Sequence, residues 1–268
     1  MNAQTRQKLR ELNRHFYQEA AQSFSESRQH PWPGWLQIPL PEGSSTPLRV
    51  LDVGCGNGRF ARALHQRRGG NFRYWGLDQS SQMLTLAQAE VARLQGIESH
   101  WIQLDVLEEE TAEAWPELTF DLIVAFGLIH HVPGRQARQN FVQKLADCVA
   151  PGGILVITAW QFADQPRFER RTLPWSTLKK FPMGAPSEAD LESGDFLLGF
   201  GSDHQALRYC HHCDEAEVDQ LAKGCGLEEM ARFSSDGKSQ DLNRYLVLKR
   251  PTSPPDSESA APGSARQA

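Results

Sequence analysis

The stretch Leu48-Arg49-Val50-Leu51-Asp52-Val53-Gly54-Cys55-Gly56-Asn57-Gly58-Arg59-Phe60 constrains this chain more than any other. Val50, Leu51 and Val53 form a short apolar run, which predicts a buried parallel strand. The run carries a carboxylate, Asp52, and leads into glycines at 54, 56 and 58. A helical pattern, Phe60-Ala61-Arg62-Ala63-Leu64, follows. Glycine tolerates positive φ and lets a ligand lie on bare backbone. A helix N-terminus adds unpaired N–H groups. Together these predict a pocket for an adenosyl ligand. The spacing is not that of a dinucleotide fold, which needs a third Gly or Ala where Arg59 stands.

Further segments extend the pattern. Arg73-Tyr74-Trp75-Gly76-Leu77-Asp78 predicts a second strand, and His100 to Val106 a third. Phe120 to Gly127 predicts a fourth and Ile154 to Trp160 a fifth, after a sharp stop at Ala150-Pro151-Gly152-Gly153. Helices are expected from Ser81 towards Leu94, with Ser80 or Ser81 as N-cap, and from about Arg135 to Val149. Alternation of strand and helix implies a parallel, doubly wound sheet. Ligands bind such sheets at the carboxyl ends of the strands, where Asp52, Asp78, Asp105 and the His130 region all fall. Asp214 to Cys225 predicts a last helix, and 226–233 with 243–248 a closing antiparallel pair around Asp236-Gly237.

The flanks read differently. Leu9, Leu12, Phe16 and Ala20 recur at helix spacing, with Arg6, Lys8, Arg10 and Arg14 expected on a solvated face. Residues 24–35, with Pro31, Trp32, Pro33, Gly34 and Trp35, predict a loop that packs on something, read as a lid, and 39–47 a turn-rich connector. Residues 161–208 break the rhythm, and so long an insertion is usually functional or disordered. From Pro251 the composition predicts a disordered tail. The domain plan is therefore a helix and lid (1–47), a main domain (48–250) and a tail (251–268). A formal charge of −5 argues against a uniformly basic surface. No apolar run is long enough to span a membrane, and no secretory h-region opens the chain. Five cysteines without a disulfide-like framework point to the reducing cytoplasm. The run Cys210-His211-His212-Cys213 has adjacent ligands, unlike the spaced pairs of structural zinc sites, so no metal is expected.

The glycine stretch resembles motif I of class I S-adenosylmethionine (SAM) methyltransferases, acidic-x-G-x-G-x-G. More pieces match the Trm9-type tRNA methyltransferases and the methyltransferase domain of the ALKBH-eight-like proteins. They are Phe24-Ser25 through Arg28 to Pro31-Trp32-Pro33, Ile129-His130-His131, Pro151-Gly152-Gly153 with Trp160, Leu173-Pro174-Trp175, and Arg208-Tyr209-Cys210-His211. The resemblance implies a Rossmann-like seven-stranded α/β sheet with an antiparallel last strand. It implies SAM held by Asp52, Gly54, Cys55, Gly56, Gly58, Asp78, Asp105, Val106 and Ala125. It further implies methylation of the carboxylate of 5-carboxymethyluridine at the tRNA wobble position, tRNA as partner, and a small activator subunit of the Trm112 type. Residues 161–208 would then recognise substrate. Cys210 departs from the aromatic residue the motif leads one to expect, and 180–208 matches nothing in it.

A carboxylate acceptor is already ionised at neutral pH, so the chemistry needs alignment and no base. Arginine suits an anionic acceptor. Arg208, His211 and His131 are the candidates for the reacting face, with Arg171 and Arg244 behind them. Two other functions stay open: methylation of a small acid or phenol, and a SAM-binding scaffold. Basic residues at 6–14 and 167–180, if clustered beside the pocket, would favour RNA.

Overall fold

A computed structural model describes residues 1–26, 30–41, 47–108, 115–180, 184–201 and 206–252. The expected tail beyond 252 and most of the connector at 42–46 lie outside the described residues. The main sheet has seven strands. They are β1 (Leu48–Val53), β2 (Phe72–Asp78), β3 (Ile97–Gln103), β4 (Phe120–Ala125), β5 (Val149–Trp160), β9 (Glu228–Ser235) and β10 (Asn243–Lys249). Their order is β3-β2-β1-β4-β5-β10-β9. β10 runs antiparallel to both neighbours, as expected of the last strand. β1 pairs in parallel with β2 and β4, so the order reverses beside the glycine loop.

Helices cover both faces. α2 (Arg59–Arg68) and α3 (Ser81–Val91) bury Phe60, Leu64, Leu84 and Val91 on one side, with Val50, Tyr74 and Val124 of the sheet. α4 (Arg135–Asp147) and α6 (Glu215–Gly224) bury Phe141, Leu145, Val218 and Leu221 on the other, with Leu51, Ile123 and Leu155. Ser80 caps α3 by accepting from Met83 N–H at 3.3 Å, and Asp214 caps α6 by accepting from Glu217 N–H at 2.8 Å. Several boundaries differ from expectation. The first helix (Ala3–Glu26) runs into the stretch from 24 that was expected as loop. β3 begins at Ile97, which leaves Asp105 beyond its end. β5 begins at Val149, so Ala150 to Gly153 lie inside the strand with a shift in its pairing to β4.

The irregular region is ordered where it is described. β6 (Thr172–Leu173), β7 (Asp195–Phe200) and β8 (Ala206–His211) make a small antiparallel sheet, preceded by the short α5 (Pro166–Glu169). α1 (Ala3–Glu26) packs on it: Leu9 and Leu12 join Leu178, Leu197, Leu207 and Tyr209 in a separate apolar cluster. Arg10 and Arg14 of α1 are not merely solvated, for both lie on Asp105 and Glu108.

β8 has two working faces because strand side chains alternate. Tyr209 and His211 face Asp195 on β7, donating from the hydroxyl and contacting through Nδ1 at 2.8 and 2.7 Å. His211 Nε2 contacts Glu217 Oε2 at 2.8 Å. Arg138, wholly buried on α4, donates to Glu217 and to Glu192 at 2.6 Å each. This network joins the small sheet to α4 and α6. Burial would raise Glu217, but His211 and Arg138 together hold it down to about 2. Burial works against His211⁺, and the hydrogen bonds it donates to Asp195 and Glu217 prevail and raise it.

Candidate active site

A cavity of about 650 Å³ lies at the carboxyl ends of β1, β2 and β4. Its floor is the loop after β1. Gly54 and Gly56 hold φ of 74° and 54°, values that suit glycine. A Cβ on Gly56 would meet nothing within 4 Å, so this backbone faces open space. Gly58 is not part of the wall: its φ is 78°, and a Cβ there would stand 3.1 Å from Ala87 Cα. It permits the close approach of α2 and α3.

Four acids border the cavity: Asp52, Asp78 and Asp105 near the strand ends, and Asp236. Asp52 is buried and accepts from the Tyr74 hydroxyl at 2.6 Å. Burial raises it to about 7, with Asp78 adding to the rise and Tyr74 opposing it. Asp78 accepts from Gly56 N–H and Ser80 N–H at 2.9 Å each, which fixes the glycine loop on the end of β2. Burial raises Asp78 against those hydrogen bonds. Asp105 accepts from Leu107 N–H at 3.1 Å and carries the Arg10 and Arg14 pairs. Cys55 and Val106 also line the cavity, whereas Ala125 is buried outside its lining.

Trp32, Pro33 and Trp35 wall one side. Trp32 and Trp35 lie 5.4 Å apart, and Arg59 sits 5.8 and 5.6 Å from their ring centres. Arg59 also donates to the His30 carbonyl at 3.0 Å, and burial lowers its guanidinium to about 10. That turn is pinned from behind: Asp236 accepts from Gly34 N–H at 2.9 Å, Asn243 at 2.8 Å and the Tyr245 hydroxyl at 2.6 Å. Arg59 and Asp236 were not singled out by the sequence. Their signal is position alone, one beginning a helix and one in a hairpin turn.

The far end of the same cavity is aromatic and basic. Tyr17, His130, His131, Trp160, Phe200 and Arg208 line it, with Arg167, Phe168 and Arg171 beside them. Arg208 is 4% exposed, its guanidinium 5.2 Å from the Phe16 ring and 4.8 Å from the Trp160 ring. Its Nε has no hydrogen-bond partner, and among the described residues no carboxylate pairs with it. A buried cation of this kind, with rings on it, offers donors to an anion that enters the cavity. His131 contacts the Tyr17 hydroxyl through Nε2 at 2.7 Å and the Tyr209 carbonyl through Nδ1 at 3.0 Å.

His211 corrects an expectation. It does not reach the cavity, because it lies three positions after Arg208 and an odd step reverses the face of a strand. Arg244 is likewise elsewhere, paired with Glu215 at 2.8 Å, while Arg171 does line the cavity.

Residues 51–155 match the family described as "Methyltransferase domain". The chain is 32% identical over 215 residues to "Ubiquinone biosynthesis O-methyltransferase" of Idiomarina loihiensis, covering 76% of each. It is 27% identical over 163 residues to "Probable tRNA methyltransferase 9B" of Homo sapiens, which is 60% of this chain and 32% of that one. The chain therefore matches about a third of the length of that tRNA methyltransferase relative. A SAM-dependent methyltransferase from Methanosarcina mazei has the same fold, with TM-score 0.58 and 16% identity over 83% of this chain and 99% of that one. The chain belongs to the class I SAM-dependent methyltransferases. As a member of that class it takes SAM as its cofactor and carries a methyl-transfer domain. No helix among the described residues is long and apolar enough to cross a membrane.

Proposed function

We propose that the enzyme methylates the carboxylate of a 5-carboxymethyluridine-type wobble nucleoside in tRNA. The observation that carries this reading is Arg208, a buried guanidinium with no carboxylate partner among the described residues, facing the cavity that holds the glycine loop. The 27% identity to a protein described as a tRNA methyltransferase supports the RNA, and so do Arg167 and Arg171 at the cavity wall.

The residues fit the cofactor. Bare backbone at Gly56 and the acids Asp52 and Asp78 suit a ligand with a cationic sulfur and an ammonium group. Asp52 would face the methionine end, Asp78 the ribose hydroxyls and Asp105 the adenine amino group. SAM supplies a methyl group on a positively charged sulfur. Arg208 would hold one carboxylate oxygen of the acceptor and leave the other to attack. No proton has to leave a carboxylate at neutral pH, so positioning is the main task. Trp160, Phe168 and Phe200 would wall in a flat ring, and the small sheet with α1 would serve as the recognition element. This reading puts the enzyme with cytoplasmic tRNA, and allows a small activator subunit of the Trm112 type.

A second reading, a small-molecule acceptor, draws on the 32% identity to an O-methyltransferase covered over 76% of its length. Mass spectrometry of tRNA nucleosides from cells lacking this protein separates the two. Accumulated carboxymethyluridine supports the first, and an unchanged nucleoside profile moves the second ahead.

A further inference from the structure

The acceptor end holds a pair that carboxylate methylation does not require. Tyr17, from α1, and His131, from the turn after β4, both line the cavity and meet at 2.7 Å between the hydroxyl and Nε2. The ring's other nitrogen fixes which partner donates. Nδ1 lies 3.0 Å from the Tyr209 carbonyl oxygen, which only accepts. Asn13 turns its Nδ2 to the same nitrogen at 3.2 Å, while its Oδ1 accepts from Tyr209 N–H at 2.8 Å. The shorter carbonyl contact assigns the proton to Nδ1. Nε2 then carries a lone pair, and the Tyr17 hydroxyl donates to it.

We propose that Tyr17 and His131 form a proton relay that lets this cavity methylate a ring hydroxyl of an anionic acceptor, a hydroxy acid whose carboxylate sits at Arg208. The acceptor hydroxyl gives its proton to Tyr17 Oη as the Tyr17 proton moves to His131 Nε2. The freed oxygen pair forms the bond to the methyl carbon, and the carbon–sulfur bond of SAM breaks with its electrons on sulfur. The products are a methyl ether, S-adenosylhomocysteine and an imidazolium that returns its proton to water. Among the described residues, the titratable or charged groups near the pair or on the same cavity wall include His130 in the same turn, Cys210 and Arg208 on β8, and Arg10 on α1. Cys210 Sγ is 4.0 Å from Nδ1, and burial pushes its thiol up to about 12, so it is neutral there and leaves Nε2 as the proton acceptor. The relay stands apart from the wobble-uridine reading: failure of tRNA methylation leaves it intact.

The test uses the full chain, SAM labelled on its methyl group, and a panel of hydroxybenzoates and dihydroxybenzoates. An ether keeps its label in alkali and an ester loses it as methanol. The expected result is alkali-stable label, with Tyr17→Phe and His131→Asn reducing its rate about a hundredfold at neutral pH. The variants should recover as pH rises through the phenol's own pKa, where no relay is needed. A second readout needs no turnover: 4-hydroxy-3-nitrobenzoate, yellow as its phenolate, bound to the protein with S-adenosylhomocysteine. The parent complex should show phenolate below the probe's solution pKa, and Tyr17→Phe should not. Alkali-labile label alone, no label on any hydroxy acid, or a Tyr17→Phe variant with the parent's pH profile would each overturn the relay.

Discussion

Arg208 and His211, three residues apart on β8, face opposite sides of that strand, one into the cavity and one into a buried acid pair. Their substitutions should therefore fail in different ways. Arg208→Met should lower methyl transfer by roughly 2–3 kcal/mol of barrier, the worth of hydrogen bonds to a charged group. SAM affinity should hold. Turnover and calorimetric SAM binding, measured on one preparation, check the pair of statements.

His211→Asn should instead lower the melting temperature, in a pH-dependent way. His211 is raised in the fold, so its stabilisation is full below its ordinary value of 6.5 and is lost as pH rises through the raised one. Glu217 is depressed to about 2, so its share is present above its ordinary 4.5 and is lost as pH falls towards about 2. The difference in melting temperature between parent and His211→Asn should thus shrink on the alkaline side. Arg138→Met, which strands Glu217 and Glu192, should cost about 3–5 kcal/mol.

Asp52 predicts a pH-dependent cofactor affinity. Its raised value, about 7, means the ligand-free fold keeps a proton that the unfolded chain loses near 3.8. A cationic ligand favours the ionised form. SAM should bind more tightly as pH rises to about 7, by up to about tenfold per unit, and release a proton on binding. Asp52→Asn should flatten that slope. Calorimetry in buffers of different ionisation enthalpy reads both effects, and an unchanged slope would place the cation away from Asp52.

Gly34 predicts a lid that can be unpinned without touching the glycine loop. A Cβ there would collide with the Tyr245 ring, so Gly34→Ala must push the turn off β10 and strain the Gly34–Asp236 hydrogen bond. Trp32 and Trp35 would shift with it. SAM binding should weaken and tryptophan emission move to the red; parental emission with parental affinity would show the turn is not a closure.

Asp78→Ala should weaken SAM binding by about 1–3 kcal/mol, through a lost ligand contact and a loosened Gly56. Binding as tight as the parent's would place the ribose elsewhere.

Much of this was legible in local pattern. Val50 to Gly58 specified strand, turn and ligand backbone at once, because the required φ values admit few residues but glycine. β10 and its turn showed through alternation and Asp236-Gly237. What escaped depends on distance in sequence. Arg138 carries no local signal, and it is buried because Glu192 and Glu217 come to it from 54 and 79 residues away. The motif Arg-Tyr-x-His was read as one functional unit, although strand geometry divides it between two faces. Residues 161–208 gave no period because their strands are short and pair only with one another.

The bond from Tyr209 N–H to Asn13 spans 196 residues, whereas the glycine loop and Asp78 are joined across 22. Closing a long loop costs more entropy and is slower than closing a short one. The cofactor end of the cavity can thus form from one contiguous stretch early in folding. The acceptor end must wait until both ends of the chain have met. Trimming α1, or burdening it with a bulky fusion, should yield a protein that still takes up SAM and has lost the place where the methyl group is delivered.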